Sequence, residues 1–390
     1  MKNWLATTWS ISNRFGWGIY GLNLILELQR RGSPTPISLG EITTDTLPPE
    51  VNTSLKPLIE FREQNLSQMF RSGKVANLQD TVVLHAMGND MEWGMYSEAF
   101  LGDVNIGVIF FEYTDLSPSA IERASRLDAI VAGSTWNGER LTDASIANVR
   151  TVFQGIDTSL FRPRKPTGAY DGRFTVFSGG KLDFRKGQDI VIAAFKIFSD
   201  RHPDALLVTA WQNLWPLTAL PFASSQHTEG LPNIFPDGRL NLTEWIARNG
   251  IDPDRFIDIG LRSNAEMPDL LRDMDLAVFP NRCEGGTNLV AMETMACGIP
   301  CIIAANTGQL DLVSDDRCYI LHEQGAVETL GDGTTGWGES SVEELVDRME
   351  EAYENRDEAK RLGQAGSDFM RDWSWRNQIG KLLESIEEFC

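Results

Sequence analysis

The sequence predicts an α/β protein made of two doubly wound, parallel-sheet domains with a cleft between them. Short runs rich in Val and Ile alternate with helix-period patterns along the whole chain, the pattern of parallel strands joined by crossover helices. One stretch rich in Pro, Gly and basic residues, 161–173 (FRPRKPTGAYDGR), interrupts the alternation, which then restarts. The length of 390 residues fits two or three domains at roughly 100–200 residues each. A chain of this size buries large cores without disulfide or metal staples.

Taken in order, residues 4–9 read as a strand and Phe15-Gly16-Trp17-Gly18 as a loop. Residues 19–31 place Leu22, Ile25, Leu26 and Leu28 at helical spacing and stop at Gly32, a glycine in the stop position. Residues 81–85 (TVVLH), 105–111 (NIGVIFF) and 129–132 (AIVA) are compact apolar strands bounded by polar or Gly-containing turns. The first domain is placed at 1–165, with 161–173 as its linker. A strand at 174–178, an amphipathic helix at 188–198 and a strand at 205–210 reopen the pattern. Strands at 256–259, 276–280 and 300–304 continue it, with helices beginning near Glu266 and Leu289. This second domain, 166–375, precedes a terminal amphipathic helix at 376–390. The segment 211–254, with Trp211, Trp215, Trp245 and the prolines Pro216, Pro221, Pro232 and Pro236 among others, is long for one connection. It reads as a substrate-shaping insertion or as a decorative loop.

The chain is 42% hydrophobic and 23% charged, an ordinary globular balance. It has 35 Lys plus Arg against 55 Asp plus Glu, a net charge of -20. That acidity opposes nucleic-acid binding, which depends on phosphate neutralisation, and electrostatic docking on an anionic membrane. Residues 166–390 hold 20 basic and 37 acidic side chains, so the excess lies in the second domain. Five cysteines without a CxxC pair fit reduced thiols better than a secreted disulfide framework. The first 15 residues lack the apolar core of a signal peptide. No run approaches the roughly 18 apolar residues of a spanning helix. A soluble cytoplasmic protein without a transmembrane segment is expected.

Four places can carry chemistry. Gly16, Gly18 and Gly21 satisfy GxGxxG between a strand and a helix, where glycines admit a phosphate or simply a tight turn. Glu41, about 20 residues on after a plausible strand, keeps a ribose grip and a nicotinamide reading open. His85 ends a parallel strand, where ligand contacts collect, or is satisfied there by backbone groups. The loop 178–187 (SGGKLDFRKG) gathers Lys181, Arg185 and Lys186 in an acidic domain and asks for an anion such as a diphosphate; the alternative is a solvated basic loop. In the densest cluster, 281–293 (NRCEGGTNLVAME), a Gly-Gly-Thr loop leads into a helix whose N-terminus can receive phosphate or sugar oxygens. Glu293, one turn inside, can accept two ribose hydroxyls or face solvent. Met292 and Met295 beside it favour burial.

These residues resemble the retaining glycosyltransferases of family 4, which have the GT-B fold of two Rossmann-like domains facing a central cleft. Gly180-Lys181-Leu182-x-x-x-Lys186-Gly187 is similar to the family's G-R-L-x-x-x-K-G loop, with Lys181 in the arginine place. Glu284 through Glu293 and on to Pro300 resembles its E-x7-E block, here with eight intervening residues. Gly155-Ile156-Asp157 and Trp373-Ser374-Trp375 are weaker matches at the end of the first domain and before the final helix, which in this family crosses back to the first domain. The resemblance implies sugar transfer from a nucleotide-diphosphate donor to an acceptor hydroxyl with retention of configuration. It implies catalytic roles for His85, Glu284, Lys181 and Lys186, with His85 contacting the donor sugar. Donor binding falls to Gly16, Gly18, Lys181, Lys186, Gly285, Gly286, Thr287, Asn288, Leu289 and Glu293, Gly16 and Gly18 lying in the acceptor-side loop. No cofactor is implied beyond the nucleotide sugar as co-substrate, and no metal. The triplets Asp252-Pro-Asp254 and Asp273-Met-Asp275 read as structural turns. A carbohydrate, glycolipid or protein is the implied acceptor, and nucleic acid is no partner. The alternatives are a GT-B nucleotide-sugar epimerase, an NAD(P)-dependent oxidoreductase and a non-catalytic binding module.

Overall fold

The computed structural model describes residues 2–327 and 333–389. The chain divides into two compact units, Met1–Gly155 with Trp373–Cys390, and Ile156–Asp372.

The first unit holds six parallel strands: β1 (Trp4–Thr7), β2 (Thr35–Ser38), β3 (Ala76–Met87), β4 (Phe100–Ile109), β5 (Ala129–Ala132) and β6 (Val149–Thr151). Their order is β2-β1-β3-β4-β5-β6, so the winding reverses between β1 and β3. The helix Gly16–Arg31 follows β1 and ends where Gly32, at φ 78°, donates its N–H to the Leu28 carbonyl. Leu24, Ile25 and Leu28 on its inner stripe are wholly buried. The helix Trp375–Ile386 clusters with this unit. Its Trp375 ring stacks on Tyr20 at 5.4 Å, and Arg31 donates to the Arg376 carbonyl at 3.2 Å.

The second unit has its own parallel sheet of β7 (Phe174–Gly179), β8 (Ala205–Ala210), β9 (Phe256–Asp258), β10 (Leu276–Phe279), β11 (Cys301–Ala304) and β12 (Tyr319–Leu321). The order is β12-β11-β10-β7-β8-β9. Counted from β7 as the first strand, this is the 3-2-1-4-5-6 order of dinucleotide-binding sheets. The switch point lies between β7 and β10. A small antiparallel pair, β13 (Gln324–Gly325) with β14 (Glu339–Ser340), stands apart from the sheet. The helix Gln188–Arg201 packs Ile190, Ala194, Phe195 and Phe198 into a core shared with Phe174 and Val176 of β7.

Two expectations need correction. The stretch 161–173 is no free linker: the division falls between Gly155 and Ile156. Residues 161–173 are tied to the second unit, because Asp273 accepts from Thr167 N and Oγ1 at 2.6 Å and Arg164 meets Asp269 at 2.9 Å. The segment 211–254 is also more structural than expected. Trp211, Phe222 and Trp245 lie in the core of the second unit, and Phe222 stands edge-on to Trp245 at 5.6 Å. Of its three tryptophans only Trp215 is exposed, beside Leu214, Leu217 and Leu220.

Candidate functional site

The two loops leaving β7 and β10 meet at the switch point, where open α/β sheets bind ligands. In the first loop Asp183 caps the short helix Phe184–Lys186, accepting from Arg185 N at 3.3 Å. Gly187 closes it at φ 68°, and a Cβ there would lie 2.2 Å from the Pro280 carbonyl oxygen. Only glycine suits both the left-handed backbone and this approach to the end of β10. The helix Gln188–Arg201 starts at once. The second loop runs from Asn281 to Asn288, which caps the helix Leu289–Ala296 from the left-handed region at φ 61° by accepting from Ala291 N. The helix that starts at this cap carries Glu293 in a buried position.

Glu284 is buried and joins the loops. Its carboxylate takes an ion pair from Arg185 at 3.1 Å, a second from Lys186, and a hydrogen bond from the Asn281 amide. Burial alone would raise its pKa; the Lys186 and Arg185 cations with these hydrogen bonds outweigh that and hold it below the ordinary value. Burial lowers the Lys186 pKa, Arg185 adds to the effect, and Glu284 opposes it. The Glu284 backbone is held as well. Its N–H donates to Thr307 Oγ1 at 2.9 Å, and its carbonyl accepts from Gly308 N at 2.9 Å. Thr307 does this at φ 42°, a strained position for a β-branched residue. Asn306 and Gln309 each donate to the Asn281 carbonyl, at 2.9 and 3.0 Å.

Glu293 projects from the second turn of its helix and is 6% exposed. Asn264 donates to its Oε1 at 2.5 Å. Burial pushes its pKa up to about 8, the Asn264 bond opposes the rise, and Asp157 adds to it. Lys181 stays a third exposed and pairs with Asp183 at 3.2 Å. The structure thus brings Lys181 and Lys186 onto one loop, with Lys186 against Glu284. Gly285, Thr287 and Asn288 are buried and Gly286 half-buried in the facing loop, ahead of Leu289 and Glu293.

Gly16, Gly18 and His85 belong to the first unit. A Cβ at Gly18 would lie 2.8 Å from Ser12 Cβ, and one at Gly21 2.7 Å from Trp9 Nε1. These two glycines of the fingerprint are therefore explained by close packing inside the unit, while Gly16 has open space around it. Glu41 is exposed and meets Ile11 through its backbone carbonyl. His85 does not end its strand: β3 runs on to Met87, and the imidazole is wholly buried. Its Nε2 meets Asn105 Oδ1 at 3.0 Å, and Trp93 packs on the ring at 4.8 Å. The expected donor contact is corrected accordingly, because the ring presents no surface to a ligand. Asp273 is saturated by Thr167 and Gly168, and Asp275 by Thr175 N and Oγ1 at 2.8 and 2.9 Å. Asp252 caps the turn Pro253–Arg255. Both triplets serve as turn and strand anchors.

Sequence reasoning passed over Arg282, Asp189, Glu339, Asn306 and Thr307. Arg282 carried a signal: a full cation between a strand end and a glycine loop is an odd choice unless carboxylates await it. Asp189 and Glu339 lie 93 and 57 residues away, beyond any local pattern.

Residues 173–355 match the family model described as glycosyl transferases group 1, a little under half of the chain. The chain is 24% identical over 278 residues to a D-inositol 3-phosphate glycosyltransferase of Paenarthrobacter aurescens, covering 69% of this chain and 58% of that protein. It is 27% identical over 245 residues to the enzyme of that name from Mycolicibacterium smegmatis, covering 63% and 48%. The chain thus spans about half the length of the curated relatives it matches. Among solved structures, Anabaena HepE in complex with UDP and glucose superposes with a TM-score of 0.65 at 13% identity, over 98% of this chain and 99% of that one. Sucrose-phosphate synthase from Thermosynechococcus elongatus does so with 0.66 at 14% identity, over 99% and 98%. Residues 173–355 are a glycosyl transferase group 1 domain on a chain of GT-B fold, and the resemblance to the family 4 glycosyltransferases read from its motifs holds.

Proposed function

We propose that the protein transfers a sugar from a nucleoside-diphosphate donor to an acceptor hydroxyl, with retention of anomeric configuration. One observation carries the reading: Lys186 and Arg185 converge on buried Glu284 at the loop opening the helix Leu289–Ala296, which holds the buried carboxyl of Glu293 one turn further in. Departure of a diphosphate develops negative charge. Lys181 is accessible enough to meet it, Lys186 sits on the same loop, and the loop amides before the helix add fixed dipoles. These groups supply the positive charge a departing diphosphate needs, so the reading requires no metal or other cofactor. Lysine at 181 offers a point charge where a guanidinium would grip two phosphate oxygens. Glu293, whose pKa burial pushes up to about 8, can when protonated both accept from and donate to a ribose diol. The acceptor is a carbohydrate, glycolipid or protein hydroxyl. The polyol and sugar phosphates in the names of the relatives favour a small hydroxylated acceptor first. Among the described residues no helix is long and apolar enough to cross a membrane. The buried free thiols of Cys297, Cys301 and Cys318 support a reducing, cytoplasmic setting.

The test is a thermal-shift panel of UDP, GDP, ADP and their sugar conjugates, with NAD as control. A ligand at a hundred times its Kd adds about 2.7 kcal/mol to the folded state. The expected result is a shift with one nucleoside diphosphate, UDP being the first to try, that disappears in Lys186→Ala and Glu293→Ala. A shift with NAD alone would overturn the reading.

A further inference from the structure

Arg282 is the most deeply held cation among the described residues, 1% exposed. Its guanidinium is shared among three elements. Nη1 donates to the Phe184 carbonyl at 2.7 Å, inside the loop of Lys181 and Lys186. Nη1 and Nη2 grip Asp189, in the first turn of the following helix, at 2.8 Å each. Nε and Nη2 reach Glu339 of β14, the latter at 2.8 Å. Its plane lies over the Phe184 ring at 3.8 Å. The carboxylates are closed off from their outer sides: Ser225 Oγ donates to Asp189 at 2.6 Å, and His227 Nε2 meets Glu339 at 2.8 Å. Because Arg282 stands two residues before Glu284, the set fastens the glycine loop 283–288 to the basic loop 181–187.

We propose that Arg282 is a positioning residue: with Asp189 and Glu339 it clamps the two loops of the switch point in the register that sets Lys186 against Glu284, so that a donor diphosphate meets preformed charge. The proposal rests on the donor-site reading and deepens it. The fork geometry matters, since only a planar guanidinium reaches a carbonyl and two carboxylates together. Arg282 itself touches no ligand, so its loss acts through the loops. A preorganised charge array loses most of its value once its parts wander.

The experiment compares wild type with Arg282→Lys and with the charge-neutral double variant Asp189→Asn/Arg282→Gln. The double variant leaves no buried charge unpaired at the Asp189 end and so guards against simple misfolding. Two readouts are taken. In the first, amide exchange is followed in the free protein. Residues 181–187 and 283–288 are expected to exchange at least tenfold faster in both variants, while the helix Leu242–Arg248 and β7 keep wild-type protection. Unchanged exchange in the two loops overturns the clamp. Uniform acceleration across the second unit overturns it too, marking plain loss of stability. In the second, the nucleoside diphosphate that stabilises wild type is titrated against its bare nucleoside. Diphosphate affinity is expected to fall at least tenfold and nucleoside affinity to stay within twofold. Equal losses for both ligands overturn the positioning role. A wild type that binds none of UDP, GDP and ADP overturns the donor-site reading, and the exchange readout then decides the clamp alone.

Discussion

Replacing Glu293 by Gln tests the electrostatics of the second unit most sharply. Burial pushes this carboxyl up to about 8 from an ordinary 4.5. A raised folded-state value means the native protein holds a proton that the unfolded chain has released between those two pH values. Stability therefore falls as pH rises from 4.5 to 8 and levels off above it. At pH 7 the gap of 2.5 pH units corresponds to about 3 kcal/mol at ~1.4 kcal/mol per unit, and above pH 8 to ~5 kcal/mol. Gln keeps the volume and the Oε1 acceptor that Asn264 uses at 2.5 Å. It adds an N–H with no assigned partner, at a cost of about 1 kcal/mol or more. The net expectation is a variant more stable than wild type by about 2 kcal/mol at pH 7, rising to 3–4 at pH 8.5, and slightly less stable at pH 4.5. Exchange of the amides in the helix Leu289–Ala296, read under urea at three pH values, reports this unit without the other. Parallel pH profiles for the two proteins would refute the reasoning. The same substitution removes the group proposed to hold the ribose, a gain in stability at the expense of function of the kind expected at binding sites.

Other predictions follow from packing and charge. Gly21→Ala, with Trp9 Nε1 2.7 Å from the new methyl, is expected to cost about 1–3 kcal/mol. Gly16→Ala, with nothing within 4 Å, should cost less than about 0.5 kcal/mol, and urea midpoints separate the two. Trp245→Ala empties a wholly buried site and should cost about 3–5 kcal/mol. Trp215→Ala, at 48% exposure, should stay within about 0.5 kcal/mol. The hydrogen bond to Glu339 raises the His227 pKa above 6.5, with burial opposing and Asp189 adding. Its contribution is then present below pH 6.5 and lost as pH rises through the folded value. His227→Ala should therefore destabilise more at pH 5.5 than at pH 8.5, measured by denaturant midpoint; the reverse order would contradict the assignment.

What could be read from the sequence follows the range of the interactions involved. The strands at 129–132 and 205–210 stand at the same bounds in the structure, because a buried parallel strand must be apolar at every position. The basic loop and the loop before Leu289 were legible because glycine, cation and cap requirements are local: Gly187 must be glycine under the Pro280 carbonyl. His85 misled because two residues that continue β3, Ala86 and Met87, look like the start of a turn. Trp211 and Trp245 misled differently. Aromatic residues among prolines resemble a binding loop, yet the rings fill the core against Phe222. Arg282 itself left a local trace, a cation between a strand end and a glycine loop, but its partners lay beyond sequence reasoning. They come from three separate elements, and only the fold brings Asp189 and Glu339 to one guanidinium.

The buried histidine of the first unit sets up a pH response opposite to that of Glu293. Asn105 receives the Gly102 N–H on Oδ1 at 2.9 Å and donates Nδ2 to the Gly102 carbonyl at 3.0 Å. Its oxygen therefore faces His85, and Nε2 carries the proton. A second proton would have to go on Nδ1, a buried atom with no hydrogen-bond partner. Burial lowers the His85 pKa to about 4, and the Asn105 bond opposes only part of that. A depressed histidine leaves the unfolded chain binding the extra proton first, so stability is lost as pH falls from 6.5 to 4. The shift of 2.5 pH units corresponds to about 3 kcal/mol over that window. His85→Gln can keep the donor toward Asn105 and cannot be charged. It should cost about 1–2 kcal/mol at pH 8 and equal or exceed wild type at pH 4.5. Over the same acidification the second unit gains stability from Glu293. Amide exchange should then show β3 and β4 losing protection below pH 6 while β7 and β10 gain it, and His85→Gln should abolish only the first change. A loss in β3 and β4 that persists in His85→Gln would mean that other groups of the first unit carry its acid response.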